Sequence, residues 1–188
     1  MERSEAREFW NQRYLEEPWP EEPSPWLVTL LDRLGDPGRV LDVAGGTGRN
    51  ALFLAAHGWT PTIVDASDVG LGLARRRAEE LGLPLTTLRR DLQREPLPEG
   101  PWDLALVFHY LDRDVLPTVS QVLRPGGRLV GAIATVRNLE RHPRPPRPYL
   151  LDEGELPGLL PDVELLDYRE GWFDDRHEAR FFAERPSC

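Results

Sequence analysis

The 188-residue chain reads as a single doubly wound α/β domain, and three observations carry that reading. Apolar stretches with strand character alternate with stretches of helical period, which predicts βαβ units and a mainly parallel sheet. The first strand runs into a glycine-rich turn that launches a helix, an arrangement that opens unpaired backbone N–H groups onto a ligand. Three aspartates, Asp42, Asp65 and Asp91, fall at the ends of three successive strands, the side on which such sheets bind ligands.

Taken in order, residues 3–16 have an amphipathic helical pattern with Phe9, Trp10, Arg13 and Tyr14 towards its end. A proline-rich connection over 18–25 carries Trp19. Ser24 is placed to cap the next helix, with Pro25 in its first turn and Trp26, Leu27, Leu30, Leu31 and Leu34 along one face. The first strand covers 39–43 and enters Ala44-Gly45-Gly46-Thr47-Gly48. A helix over 49–57 stops at Gly58, and a strand over 60–64 ends at Asp65. The third helix, 69–81, stops at Gly82, and a strand over 85–90 precedes Asp91. The unbroken apolar run 102–108 predicts a buried fourth strand. A helix over about 113–123 leads to Arg124-Pro125-Gly126-Gly127 and a fifth strand over 128–134. The stretch 137–148 is an irregular loop, because its prolines fix φ and remove donors. A short helix near 152–160 and strands over 163–168 and 177–183 complete seven strands, with an antiparallel edge strand and helices on both faces.

Composition removes several function classes. Hydrophobic residues make up 40% of the chain, enough for one sizeable core, and charged residues at 29% favour solubility. Lys and Arg total 23 against 32 Asp and Glu, a net charge of −9, which argues against a nucleic-acid partner. All of those cations are arginine, so a Schiff-base lysine, a P-loop lysine and a tyrosine–lysine pair are excluded. No apolar run reaches the roughly 18 residues of a membrane span. Residues 1–8 lack the basic-then-apolar layout of a signal peptide, and the one cysteine is Cys188, so the expected compartment is the cytoplasm. Four scattered histidines and one cysteine give no zinc spacing, and no metal is expected.

The glycine turn alone also satisfies a dinucleotide fingerprint, through Gly46-x-Gly48-x-x-Ala51. Asp42 separates the two readings: a carboxylate there repels a pyrophosphate but suits a cationic amino group and sulfonium. Asp65 can accept from a ribose diol, and Asp91 from an adenine amino group, with the Leu92 N–H directed at a ring nitrogen. Each aspartate also has an ordinary use at a strand end or helix cap.

At this point the residues meet a family. Leu41-Asp42-Val43-Ala44-Gly45-Gly46-Thr47-Gly48-Arg49-Asn50 resembles the cofactor loop of class I S-adenosylmethionine-dependent methyltransferases. Val64-Asp65-Ala66-Ser67, Arg90-Asp91-Leu92 and Leu123-Arg124-Pro125-Gly126-Gly127 sit where that family has its further motifs. Phe9-Trp10-Asn11-Gln12-Arg13-Tyr14 and Phe108-His109-Tyr110-Leu111 are similar to the small TehB-type branch, associated with tellurite resistance and small-molecule methylation. Ala44 departs from the family's frequent glycine, a change expected to be tolerated.

The resemblance implies a Rossmann-like sheet, S-adenosylmethionine as cofactor and a small-molecule methyl acceptor. It implies that Asp65 holds the ribose, that Ala44, Gly45, Gly46 and Gly48 cradle the methionine moiety, and that Asn50, Ala66, Leu92 and Phe108 lie in the cofactor shell. Residues 1–25 then form a lid. Arg13 pairs with the cofactor carboxylate or is a solvated helix arginine, and Trp19 packs on the sulfonium methyl or within the lid.

His109, directly after the fourth strand, is the candidate base for a protic acceptor, or else a backbone anchor. A thiolate or a metalloid oxyanion needs no base. Arg137, Arg141, Arg144 and Arg147 in the loop 136–151 are read either as a solvated patch or as recognition of an anionic acceptor. A monomer and a homodimer both fit. The rival functions are a non-catalytic S-adenosylmethionine-binding module and an NAD-binding oxidoreductase.

Overall fold

Seven strands form one sheet in the order β3-β2-β1-β4-β5-β7-β6. The computed structural model describes residues 3–187, with side chains from Arg7 onward; Cys188 lies outside the described residues. The chain divides into two compact units, Met1–Pro98 and Glu99–Cys188.

The first unit holds α1 (Arg3–Glu16), α2 (Pro25–Leu30) extended by a 3₁₀ turn (Leu31–Arg33), β1 (Arg39–Val43), α3 (Arg49–Ala56), β2 (Thr60–Asp65), α4 (Asp68–Leu81) and β3 (Thr86–Arg89). Its strands are parallel, β1 on β2 and β2 on β3, with Asp42 level with Ile63 and Asp65 level with Arg89. Val40, Leu41, Val43, Ile63 and Val64 are fully buried, as apolar strand runs covered on both faces should be. Ala51, Leu71 and Ala74 pack with Ile63 where α3 and α4 cross the sheet, and Leu85 closes the cluster. Gly82, left-handed at φ 65, ends α4 where the sequence puts its stop. Ser24 departs from expectation. It precedes Pro25 at the head of α2, but its side chain makes no capping bond; its backbone N–H donates to Asn50 Oδ1 at 2.8 Å.

The second unit holds β4 (Trp102–Phe108), a 3₁₀ turn (Leu116–Thr118), α5 (Val119–Val122), β5 (Leu123–Ala134), 3₁₀ turns over Val136–Glu140 and Arg147–Tyr149, α6 (Leu156–Leu159), β6 (Glu164–Phe173) and β7 (Arg176–Glu184). β4 and β5 are parallel, and β7 lies antiparallel between β5 and β6. The helix expected over 113–123 shrinks to a 3₁₀ turn and a single α turn, because Pro117 has no N–H to give in the middle of that stretch. The turn at 124–127 is absorbed into an irregular start of β5, where the Gly126 N–H reaches the Arg185 carbonyl and the Arg185 N–H returns to Gly127. The final hairpin is longer than expected at both strands and reverses at Asp174, φ 56.

The proline-rich loop also needs correction. Its first residues form the 3₁₀ turn Val136–Glu140, started by Thr135 Oγ1 accepting the Arg137 N–H at 3.3 Å. Asn138 then pins the turn to the head of β7, donating from Nδ2 to the Thr135 and His177 carbonyls while its Oδ1 accepts the His177 N–H. Among the described residues, no helix is long and apolar enough to cross a membrane.

Candidate active site

The glycine turn begins where β1 ends, and Asp42 is its foundation. The carboxylate is 2% exposed and accepts the Ala51 N–H in the first turn of α3, giving that helix the acidic partner its N-terminus favours. The chain doubles back so closely that a Cβ on Gly45 would stand 2.6 Å from Asp42 Cγ. Burial pushes the Asp42 carboxyl up to about 7, against the opposing pull of Arg49. Gly46 and Gly48 take left-handed φ of 54 and 78, and Gly48 leads directly into α3. Ala44 shares that region at φ 53, a conformation costing an L-residue about 1–2 kcal/mol. Ala44→Gly should therefore be neutral or stabilising by up to about 1 kcal/mol in urea unfolding, the reverse of an ordinary Ala→Gly change. A loss of about 1 kcal/mol would show that the Ala44 methyl contacts outweigh the strain.

Asp65 closes the turn from β2. Its Oδ2 accepts the Gly46 N–H at 2.9 Å and its Oδ1 the Ser67 N–H at 2.8 Å, so it ties the glycine turn to the head of α4. Burial raises its pKa, and the N–H bonds from Ser67, Gly46 and Ala66 oppose the rise. Three N–H bonds leave the carboxylate one of its roughly four acceptor positions for a hydroxyl.

Two residues absent from the expected site complete this half. Tyr14 lays its ring in a slot between Gly46 and Gly70, so near that a Cβ on Gly46 would meet its hydroxyl and one on Gly70 would stand 2.9 Å from its ring edge. Burial, then Asp65 and Asp42, drive its phenol pKa upward. Asn11, one turn earlier, accepts the Ser67 hydroxyl at 2.6 Å and the Val69 N–H at 3.2 Å, and Arg7 pairs with Asp68. Arg7, Asn11 and Tyr14 follow a spacing of four and three, one helix face, and that periodicity was the available signal.

The other sequence-derived positions fall as follows. Arg13 forms an ion pair with Glu17 at 2.7 Å and has Phe9, Trp10 and Trp19 rings within 5.4–5.8 Å of its guanidinium carbon. Trp19 folds back on α1, its ring 4.6 Å from that of Tyr14 and its N–H on the Arg13 carbonyl at 3.3 Å. Both therefore pack within the N-terminal segment, while Tyr14 reaches the turn. Asn50 is committed to Ser24. Asp91 lies two residues past the end of β3 and organises the turn behind it, accepting the Gln93 N–H at 3.2 Å, with Leu92 buried beside it. Phe108 is buried at the end of β4.

In the second unit His109 follows Phe108 with φ 57, its N–H bonded to the Ala132 carbonyl of β5 at 2.8 Å. A bulky residue held left-handed is a strained position of the kind that gathers at working sites. Two of the four loop arginines are matched by acids, Arg137 with Glu140 and Glu153 and Arg147 with Asp152, while Arg141 stacks on Trp172 at 3.7 Å.

The turn fits a cationic cofactor on its own chemistry. Two buried carboxylates stand beneath backbone that only glycine allows so close.

Residues 40–127, just under half of the chain, match the family profile described as a methyltransferase domain. The chain is similar to S-adenosylmethionine-dependent methyltransferases, TehB among them. It is 37% identical over 101 residues to the demethylmenaquinone methyltransferase of Thermus thermophilus, covering 50% of this chain and 46% of that protein. It is 26% identical over 140 residues to TehB, a probable S-adenosyl-L-methionine-dependent methyltransferase of Haemophilus influenzae, covering 71% and 49%. The chain thus spans about half the length of the curated relatives it matches. In fold it resembles magnesium protoporphyrin IX methyltransferase (ChlM) of Synechocystis PCC 6803 with bound SAH, with a TM-score of 0.74 at 15% identity over 98% of this chain and 100% of that one.

Proposed function

We propose that this chain acts as one catalytic domain that transfers the methyl group of S-adenosylmethionine, in line, to a small-molecule acceptor. The observation that carries this is the sign of the turn: Asp42 and Asp65, both buried, lie where a dinucleotide site would need to welcome a pyrophosphate. Bound there, S-adenosylmethionine supplies a methyl carbon already activated by its sulfonium. The chain's own work is then to bind, orient and, for a protic acceptor, take a proton.

Asp65 holds a ribose hydroxyl through its remaining acceptor position, residues 44–48 cradle the methionine end, and α1 covers it through Tyr14. His109 receives the acceptor's proton where there is one. Arg137 and Arg147 are engaged by acids while Arg141 and Arg144 have no acidic partner among the described ion pairs, so a thiol, a neutral protic metabolite and a small acid all stay within the acceptor class. A metalloid oxyanion remains in the same screen because it needs no base.

Binding tests the cofactor half. At about 100 times its Kd, S-adenosylhomocysteine should stabilise the chain by about 2.7 kcal/mol, roughly a 5–10 °C rise in melting temperature, with little effect from NAD or NADP. A rise with NADH alone would sink the proposal. Labelled-methyl turnover across thiols, tellurite and selenite tests the other half.

A further inference from the structure

We propose that Glu178 is a positioning residue for His109, aligning the imidazole by its Nδ1 edge and setting its proton affinity. The purpose of the pair rests on the reading of His109 as the acceptor-side base.

Glu178 stands on β7 level with Ala134 of β5, and Arg180, two residues on and on the same strand face, stands level with Ala132. Ala132 is also the residue whose carbonyl receives the His109 N–H, so the β4–β5–β7 register brings the imidazole to this part of β7. Glu178 is 4% exposed, and its side chain sits between an imidazole and a guanidinium. Its Oε1 is 3.7 Å from His109 Nδ1 and its Oε2 is 3.1 Å from Arg180 Nε. Arg180 is itself fixed, its guanidinium carbon 3.8 Å from the centre of the Phe173 ring.

A buried glutamate is costly unless paired, and Arg180 supplies one partner and the imidazole edge the other. The oxygen that Arg180 leaves faces the imidazole. At 3.7 Å the contact is an ion-pair distance, longer than a hydrogen bond, and it shortens naturally when the ring gains a proton. A carboxylate on the Nδ1 side favours the tautomer with its proton there, making Nε2 the basic nitrogen, and then stabilises the imidazolium. The neighbouring His177 is used otherwise, its Nδ1 bonded to Thr135 Oγ1 at 2.7 Å. Among the described contacts of the ring, Glu178 of β7 is charged, with Arg180 behind it, and β5 presents the Ala132 carbonyl to the His109 N–H.

The experiment is a ring-proton NMR titration of the full chain, with His109 assigned among the four histidines by its loss in His109→Ala. Glu178→Gln should lower the His109 midpoint by about one pH unit or more, since an opposite charge at this distance shifts a neighbour by roughly that much. Arg180→Met should raise it, because the carboxylate then answers to the imidazole alone. The two variants predict opposite signs, so the test survives if one of them fails to fold. In labelled-methyl assays with a protic acceptor, the acid limb of kcat/KM should move with the NMR midpoint, and S-adenosylhomocysteine affinity should not move. An unmoved midpoint in the folded variants overturns the positioning role whatever turnover does. A moved midpoint with full turnover in His109→Ala overturns instead the base reading that gives the pair its purpose.

Discussion

Replacing His109 by alanine should lower methyl transfer to a protic acceptor by about 10²–10⁴-fold and leave S-adenosylhomocysteine affinity within about threefold. The size follows from what a general base contributes, and the selectivity from the position of the residue. His109 ends a strand whose interior is apolar, its backbone is already bonded to Ala132, and its side chain engages Glu178. Removing the imidazole should therefore spare the Asp42–Gly46–Asp65 turn. Labelled-methyl turnover at saturating cofactor, set beside calorimetry, separates the outcomes. Full activity would make His109 a strand-end anchor, and a collapse of cofactor binding would place it in the cofactor shell. With a thiolate acceptor the loss should be far smaller, which makes the same variant a reporter of acceptor class.

Asp42 should make the fold less stable as pH rises. Its carboxyl moves from an ordinary 3.8 to about 7 on folding, so between those values the native state keeps a proton that the unfolded chain has released. Stability then falls with increasing pH across that window and levels off above it. The whole span corresponds to about 4 kcal/mol as an order of magnitude. Asp42→Asn keeps an oxygen for the Ala51 N–H and removes the titration. The difference in unfolding free energy between variant and parent should grow in favour of the variant from pH 4 to pH 8. A difference that stays flat with pH would mean that Asp42 is ionised throughout. The variant should also bind S-adenosylhomocysteine at least tenfold more weakly at pH 8, because the amino group loses its counter-charge. Stability gained and affinity lost at one position would mark a carboxylate kept for its ligand.

The part of this fold that was legible in sequence is the part written in apolar runs and punctuating glycines. β1, β2 and β4 carry short apolar runs, and Gly58 and Gly82 stop α3 and α4 where a left-handed residue is required. Legibility failed where pairing decides. The second half of β6, 169–173, mixes charge with aromatics, as a loop does, and becomes strand because β7 supplies its hydrogen bonds. Asp42, Asp65 and the turn were found from local spacing. Asn11 and Tyr14 were not, because their partners Ser67, Gly46 and Gly70 lie far along the chain, and a tyrosine or asparagine on a helix face carries no mark of what it will meet. Glu178 was missed for a related reason. A glutamate between histidine and alanine on a late strand reads as solvent-facing until Arg180 is placed beside it.

The insertion of β7 between β5 and β6 also governs how the molecule can be made. β5 pairs Arg128 with Glu184, a contact across 56 positions, so its outer edge has no strand to bind until β7 has left the ribosome. During that interval the N–H and C=O groups of Leu129, Val130 and Ile133 form a bare apolar ribbon, the kind of edge on which nascent chains stick to one another. Synthesis that halts before Arg176 would not trim a margin from this sheet; it would leave out an interior strand, stranding β6 without a neighbour. Production of this protein should accordingly depend on what shields that ribbon, a chaperone or a slow growth temperature, more than on the stability of the finished fold.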